Sequence, residues 1–345
     1  MKSTPLLQLS GEAGGGQILR SALALSMITG RRFRITKIRG KRPKPGLMRQ
    51  HLTCVKAAAE VCDAAVDGAE LGSQELVFAP GKVAAGDYAF AIGSGGSTSL
   101  VLQTLLPALL QADGPSTVRI EGGTHNPLAP PFEFLAECFL PVLKTMGATV
   151  ELTLERPGFM LAGGGVLHAA ITPVKKWKTL KLRERGALLE GGLQGRIVHA
   201  HLERAIGERE IATLVPMLEW DRSQFEWVDA NSSLGPGNAV LLRAAYEQVT
   251  EICSAVAQQG RSAEKVAGAV AKGMKAYLAN EAPVGVHLAD QLLLPMALAG
   301  KGEFHTFAIS EHARTNMAVI EAFLEVSFEV TELERGEKRV KVRGR

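Results

Sequence analysis

Histidines are the first residues of this sequence to weigh for chemistry, because a neutral imidazole with an unperturbed pKa of about 6.5 is nucleophilic near pH 7. The chain has eight of them. His312 stands alone ahead of a predicted helix, and a lone histidine is more often a structural residue than a nucleophile. His199 and His201 share one face of a predicted strand, which is typical of a metal-binding pair or of an exposed strand. Residue type alone leaves the reacting group open.

Glycine-rich segments open three predicted helices. They are Gly14 to Gly16, Gly93 to Gly96 and the Pro283-Val284-Gly285 turn. The free N–H groups and the positive dipole end of a helix start can receive an anion. A single turn of this kind is usually a plain helix start with tight backbone geometry. Three such starts that converge would form a phosphate-binding centre.

Positive charge is concentrated near the N-terminus, although the net charge is only +4. No acidic residue interrupts the run Arg31, Arg32, Arg34, Lys37, Arg39, Lys41, Arg42, Lys44 and Arg49. Such a run favours a surface that faces a polyanion, and the alternative is a solvated strand and loop.

Several common signatures are missing from the sequence. It has no G-x-x-x-x-G-K-[ST] loop, no G-x-G-x-x-G turn, no K-x-D-G ligase lysine and no H-E-x-x-H. Its four cysteines form no C-x-x-C pair, which predicts reduced thiols. No apolar run is long enough for a signal peptide or a membrane span, so we expect a cytoplasmic protein.

The elements that must position these residues recur along the chain. A glycine-rich loop, an apolar helix and a strand are followed by a second helix and another strand. The first helices of the three copies are predicted over residues 18–28, 100–110 and 288–298, and the second helices over residues 47–61, 131–146 and 315–324. Each helix has an apolar stripe that must pack on a sheet.

The spacing between copies predicts an insert. The second and third copies start about 190 residues apart, against about 80 for the first two, and the excess has the size of a small domain. We expect a discontinuous three-repeat domain over residues 1–181 and 280–345, with a small α/β domain inserted at residues 182–279.

Short strings along nearly the whole chain give the sequence a family resemblance. They are Gly14-Gly15-Gly16-Gln17-Ile18-Leu19-Arg20-Ser21-Ala22-Leu23, Lys44-Pro45-Gly46-Leu47, Arg49-Gln50-His51-Leu52, Glu70-Leu71-Gly72-Ser73-Gln74, Gly122-Gly123-Thr124, Ala129-Pro130-Pro131, Gly163-Gly164-Gly165, Leu288-Ala289-Asp290-Gln291-Leu292 and His312-Ala313-Arg314-Thr315-Asn316. In this order they resemble the RNA 3'-terminal phosphate cyclase family. The resemblance implies an α/β fold of three two-helix, four-stranded units, similar to enolpyruvate transferases, with a small domain inserted in the third.

The resemblance also implies an activity. ATP transfers AMP to a histidine, then the AMP moves to an RNA 3'-phosphate, and the 2'-OH closes a 2',3'-cyclic phosphate. Mg²⁺ or Mn²⁺ would assist pyrophosphate release. The matching string places the nucleophile at His312. RNA 3' ends are the implied partner, and a homodimer is expected from base rates for soluble enzymes.

The resemblance assigns further residues to the two substrates. The nucleotide pocket corresponds to Gln103, Pro130, His287, Leu288, Ala289, Asp290 and Gln291. The RNA phosphate and the triphosphate are expected at Arg20, Arg42 and Gln50, with Arg39 and Lys44 nearby. Arginine suits this role because its planar fork binds phosphate oxygens in pairs.

Two positions depart from the family pattern. Ala13 stands where a glutamate usually precedes the glycines, and Glu12 is displaced by one residue. If that carboxylate binds metal, Glu12 must reach it through a local backbone shift. His287 stands where a tyrosine is common, which bears on purine selectivity.

Two other functions fit a fold of this kind. One is a non-catalytic, cyclase-like RNA-binding scaffold, a class that lacks the histidine. The other is an enolpyruvate transferase-like enzyme without a covalent nucleotide. The His312 string and the basic run favour the cyclase.

Overall fold

The computed structural model describes residues 5–344, so the outermost bounds of the predicted larger domain, residues 1 and 345, lie outside the described part. The first repeat consists of β1 (Leu7–Ser10), α1 (Gln17–Thr29), β2 (Phe33–Thr36), α2 (Arg49–Cys62), β3 (Ala65–Asp67) and β4 (Leu76–Ala79). Its sheet has the order β1-β2-β4-β3. The first two strands are parallel, and β4 is antiparallel to both of its neighbours.

The second repeat has the same topology. Its elements are β5 (Asp87–Ala91), α3 (Thr98–Leu109), β6 (Ser116–Gly122), α4 (Phe132–Phe134), a π-helical turn (Leu135–Phe139), α5 (Leu140–Thr145), β7 (Thr149–Arg156) and β8 (Gly165–Thr172). The order is β5-β6-β8-β7, with the same parallel and antiparallel pairs.

A separate sheet follows the first strand of the third repeat. After β9 (Leu180–Leu182) come β10 (Leu188–Ala200), α6 (Arg204–Leu218), β11 (Phe225–Asp229), β12 (Gly237–Tyr246), β13 (Thr250–Val256) and α7 (Ala263–Leu278). Their order is β11-β10-β12-β13. These elements lie within the predicted insert, whose domain boundaries stay a prediction.

The third repeat is completed by α8 (Val286–Leu298), β14 (Lys301–Thr306), α9 (Glu311–Phe323), β15 (Val326–Glu332) and β16 (Lys338–Gly344). Its order, β9-β14-β16-β15, repeats the pattern of the first two sheets. The predicted α/β fold of repeated two-helix, four-stranded units is therefore confirmed.

Two buried cores hold these layers together. One runs through all three repeats and includes Leu23 of α1, Leu105 of α3 and Leu292 of α8. The other lies between the inserted sheet and its helices and includes Ile197 of β10 and Tyr277 of α7. Because α1, α3 and α8 bury apolar faces in one shared core, their positions relative to one another are fixed. Within residues 5–344, no helix is both long and apolar enough to cross a membrane.

Candidate active site

A cavity of about 660 Å³ lies among the repeats and reaches the inserted sheet. Its polar side contains four predicted site residues, Arg20, Arg42, Asp290 and His312. Four more, Gln103, Pro130, His287 and Gln291, line the same cavity. Residues from distant parts of the sequence thus come together in one space, which has the size expected of a ligand site.

His312 lies in the first turn of α9, at the cavity edge. The side chain of Ser310 caps this helix by accepting a hydrogen bond from the Ala313 N–H at 3.0 Å. The His312 imidazole is 48% exposed, and its Nδ1 lies 2.8 Å from Asp290 Oδ2. A carboxylate at Nδ1 selects the tautomer with the proton on that nitrogen, which leaves the Nε2 lone pair for chemistry.

Asp290 is itself held by neighbouring amides. Its Oδ1 accepts hydrogen bonds from Gln17 Nε2 at 2.8 Å and from Asn316 Nδ2 at 3.1 Å. Ser21 Oγ donates to Asn316 Oδ1 at 2.8 Å. The network joins α1, α8 and α9, so the orientation of His312 depends on the first and third repeats together.

Gln17, Ser21 and Asn316 were not predicted as site residues. A signal was present in the spacing, because Gln17 and Ser21 are four residues apart on α1, as His312 and Asn316 are on α9. Side chains at this spacing lie on one helix face. Their shared target, Asp290, is 273 residues from Gln17 and could not be read from local sequence.

The positively charged end of the cavity is built around the start of α1. Arg20 and Arg42 line the cavity there, and the Arg42 guanidinium packs against Gly15. The His51 ring and the Arg20 guanidinium approach Gly16 so closely that any side chain at Gly16 would overlap them. Burial, with Arg20 and Arg39 nearby, lowers the pKa of His51 to about 3, so this imidazole is neutral at physiological pH.

Gln50 and Arg39 shape loops rather than line the cavity. Gln50 Oε1 accepts a hydrogen bond from the Ser97 backbone N–H at 2.7 Å. Arg39 donates to the carbonyl oxygens of Lys44 at 2.7 Å and Gly46 at 2.9 Å. Their predicted contacts with RNA phosphate stay predictions.

Glu12 lies outside the cavity. Its exposed carboxylate forms an ion pair with Lys37 at 2.9 Å, and the hydrogen bond from Lys37 lowers its pKa. Residues 5–344 contain no group of three or more His, Cys, Asp or Glu side chains that could hold a metal ion. The structure therefore does not show a ready metal site at Glu12.

Another wall of the cavity is formed by one face of α8. His287 and Gln291 line it, whereas Leu288 and Ala289 face the core and are buried. Burial lowers the pKa of His287, opposed by Asp290 and assisted by His312. A neutral imidazole at this position can stack on a planar base.

The histidine pair of the inserted sheet has other partners. His199 Nε2 lies 3.2 Å from the Glu203 carbonyl oxygen, and its ring meets Trp227 edge-on. His201 follows the end of β10, and its Nε2 lies 2.8 Å from the Ser233 carbonyl oxygen. The structure thus gives each ring a structural contact, and no metal cluster forms among residues 5–344.

Comparison with known proteins identifies the family. The family model for RNA 3'-terminal phosphate cyclase matches residues 11–330. A protein of that name from Ectopseudomonas mendocina is 49% identical over 98% of each chain. Others, from Pseudomonas fluorescens and Koribacter versatilis, are 52% identical over 95% of each chain and 51% identical over 93% of this chain and 90% of the relative.

Among solved structures, an EPSP synthase from Acinetobacter baumannii matches 98% of this chain and 65% of its own, at 12% identity and a TM-score of 0.33. A score this low carries no weight for the fold, which is established by the sheet topology. The extent and identity of the sequence matches confirm the predicted enzyme class. This chain belongs to the RNA 3'-terminal phosphate cyclase family.

Proposed function

We propose that this protein uses ATP to convert an RNA 3'-terminal phosphate into a 2',3'-cyclic phosphate. The reaction passes through AMP on His312 and then an RNA(3')pp(5')A intermediate, and releases pyrophosphate and AMP. The observation that carries the proposal is the His312–Asp290 pair, 2.8 Å apart, at the edge of a cavity that also contains Arg20 and Arg42.

In the first step the Nε2 lone pair of His312 attacks the α-phosphorus of ATP. The bond to the bridging oxygen breaks, and pyrophosphate leaves. Asp290 accepts the hydrogen bond from Nδ1 and stabilises the positive charge that develops on the ring. The P–N bond formed is labile, so one difficult displacement becomes several easier ones.

In the second step an oxygen of the RNA 3'-phosphate attacks the adenylyl phosphorus, and the P–N bond breaks. In the third step the neighbouring 2'-OH attacks the RNA phosphorus, its proton passes to solvent, and the bond to the AMP phosphate breaks so that AMP leaves as the cyclic phosphate closes. Arg20 and Arg42 lie where they can hold phosphate oxygens during both steps.

For the nucleotide, Gln103, Pro130, His287 and Gln291 are the side chains that we propose to surround the base and ribose. Leu288 and Ala289 are buried in the core and would hold this segment of α8 in place beside the nucleotide. Mg²⁺ or Mn²⁺ bound to the ATP phosphates would screen their charge and help pyrophosphate leave. Direct metal binding by Glu12 and the contacts of Gln50 and Arg39 with RNA remain predictions, as do the cytoplasmic location and the homodimer.

The two alternative functions have less support. A scaffold needs no oriented imidazole, yet His312 is fixed by Asp290 and the Asp290 amide network. An enolpyruvate transferase would release phosphate from phosphoenolpyruvate. Phosphate release when this protein is mixed with phosphoenolpyruvate and a hydroxyl acceptor would favour that function.

The test is turnover of an RNA 3'-phosphate. Purified protein is mixed with Mg²⁺ or Mn²⁺, ATP and an end-labelled RNA bearing a 3'-phosphate, beside His312→Ala. We expect the wild type to make the end resistant to phosphatase and the variant to leave it sensitive. A phosphatase-sensitive end with folded wild-type protein and either metal would overturn the proposal.

A further inference from the structure

Two leucines on neighbouring loops, of which Leu128 lines the cavity, are unusually exposed. Leu128 is 95% exposed and Leu161 is 84% exposed, more than any other large apolar side chain of the described residues. Leaving a leucine in water forgoes the free energy gained by burying it. A pair of this kind next to a cavity therefore points to a binding partner.

Both leucines have a strained backbone. The φ angle is +62° at Leu128 and +88° at Leu161, in the left-handed region that leucine rarely adopts. Strain of this kind persists only where the surroundings enforce it, and it is concentrated at functional sites. Asparagine and glycine would fit either position better, so neither leucine is the residue that the backbone alone would favour.

The surroundings that enforce this conformation join the two loops. A β-bridge links His125 to Phe159, and their rings stack at 5.4 Å. His125 is buried, with its Nε2 3.1 Å from the Glu133 carboxylate. Leu128 and Leu161 lie three and two residues beyond this bridge, so they leave a common rigid base.

The same loops border the glycine segment before α3. Asn126 Nδ2 donates to the Gly95 carbonyl oxygen, and an added side chain at Gly95 would lie 2.9 Å from the Leu161 backbone nitrogen. On its other side Arg49 donates to the Gly93 carbonyl oxygen at 3.0 Å. The apolar pair thus adjoins the basic segment that ends at Arg49.

We propose that Leu128 and Leu161 form an apolar clamp for the nucleobases of an unpaired RNA 3' end, a proposal that rests on the proposed function. With the terminal phosphate at Arg20 and Arg42, Leu128 lies on the wall of the same cavity, where it can contact the strand that leads away from the phosphate. Nucleobases have apolar faces that pack on side chains without regard to sequence, while basic residues hold the phosphates. The clamp would select a single-stranded end.

The test replaces both leucines by asparagine, which tolerates the left-handed backbone and so preserves the fold. Leu188→Asn with Leu189→Asn is the control, since these leucines are 44% and 45% exposed and lie in β10 rather than in the two loops of the clamp. Binding of a fluorescent single-stranded oligoribonucleotide with a 3'-phosphate is measured by anisotropy, and binding of uridine 3'-monophosphate by calorimetry.

We expect Leu128→Asn with Leu161→Asn to weaken oligonucleotide binding about tenfold, well beyond any change for the mononucleotide. The control pair should bind like the wild type. Equal losses for both ligands, or unchanged oligonucleotide affinity, would overturn the clamp. A wild-type dimer that the variant converts to a monomer, with RNA affinity intact, would overturn it in favour of an interface between two copies.

Failure of the proposed function would look different. In that case the wild-type protein would bind the oligonucleotide but leave its 3'-phosphate sensitive to phosphatase with ATP present. A wild type that cyclises RNA while the leucine variant binds it unchanged would refute the clamp alone.

Discussion

The starts of α1, α3 and α8 occupy equivalent positions in the three repeats, yet different side chains surround them. At α3 the Ser97 side chain caps the helix by accepting from the Leu100 N–H at 3.3 Å, and the Ser97 N–H is bonded to Gln50. At α8 the carboxyl group of Glu251, a buried residue of the inserted sheet, packs against Gly285, the residue that precedes the helix.

The start of α1 has no side-chain cap and opens beside Arg20 in the cavity. The sequence predicted that three such starts could converge on phosphate. Protein groups lie against the α3 and α8 starts, whereas Arg20 and the cavity adjoin the α1 start, so we expect phosphate at the α1 start. Equivalent positions in the repeats therefore need not have the same role, because different side chains surround each helix start.

The largest effect is expected from adding a side chain at the start of α1. Gly16→Ala would force a methyl group into the His51 ring and the Arg20 guanidinium. We expect cyclase activity to fall about 100-fold, because a displaced phosphate-binding group misplaces the substrate, and stability to fall by about 1–3 kcal/mol. Steady-state kinetics and urea unfolding measure the two effects.

The control for this substitution is Gly268→Ala. Gly268 lies within α7 with open space around it, so alanine should stabilise the protein by about 0.5–1 kcal/mol and leave kinetics unchanged. Wild-type activity in Gly16→Ala would show that the α1 start does not bind phosphate.

An intermediate effect is expected at the α8 start. Burial raises the pKa of Glu251 from 4.5 to about 8, so between these values the folded protein holds a proton that the unfolded chain has lost. The contribution to stability is complete below about pH 4.5 and is lost as pH rises to about 8, on the order of 1 kcal/mol per pH unit.

Glu251→Gln removes this titration, so its unfolding free energy should decline less than that of the wild type between pH 5 and pH 8. Glu210 is a matched control, because it is also buried and its pKa is raised to about 7 by burial, but it bonds Asn238 inside the inserted sheet. We expect both glutamine variants to flatten the pH profile, and only the one at Glu251 to raise KM for ATP. If both variants have the same KM for ATP, Glu251 does not affect nucleotide binding through α8.

The smallest effect is expected at the α3 start. Ser97→Ala removes a single cap and should cost about 1 kcal/mol of stability, with kinetics close to the wild type. Urea unfolding checks the first value. A large loss of activity would mean that the α3 start binds substrate after all.

Local sequence predicted much of this fold. The apolar stripes of α1, α3 and α8 repeat strongly enough to locate those helices, and the spacing of the copies predicted an insert where the structure has a separate four-stranded sheet. Local sequence could not predict the pairing of β9 with β14, because Leu180 and Gly302 are far apart in the chain and meet only in the folded protein. The approach of Glu251 to Gly285 depends on the same arrangement.

The candidate site shows the same division. The string around His312 predicted that this residue is the nucleophile, and the structure adds the contact of His312 with Asp290 and of Asp290 with Gln17, which comes from the opposite end of the chain. Arg39 and Gln50 show the converse, since their residue types suit phosphate but their hydrogen bonds are to loop backbone. Residue type predicts what a side chain can do, and tertiary contacts decide which partner it has.

The most direct test of the account is the position of AMP on the protein. Wild-type protein is incubated with ATP and divalent metal, without RNA, and the adduct is located by peptide mass spectrometry and by nitrogen-15 NMR of labelled histidine. Because Asp290 is hydrogen-bonded to Nδ1 of His312, we expect AMP on Nε2 of this residue and none on the protein in His312→Ala. AMP on Nδ1, on His287 or on a lysine would contradict it.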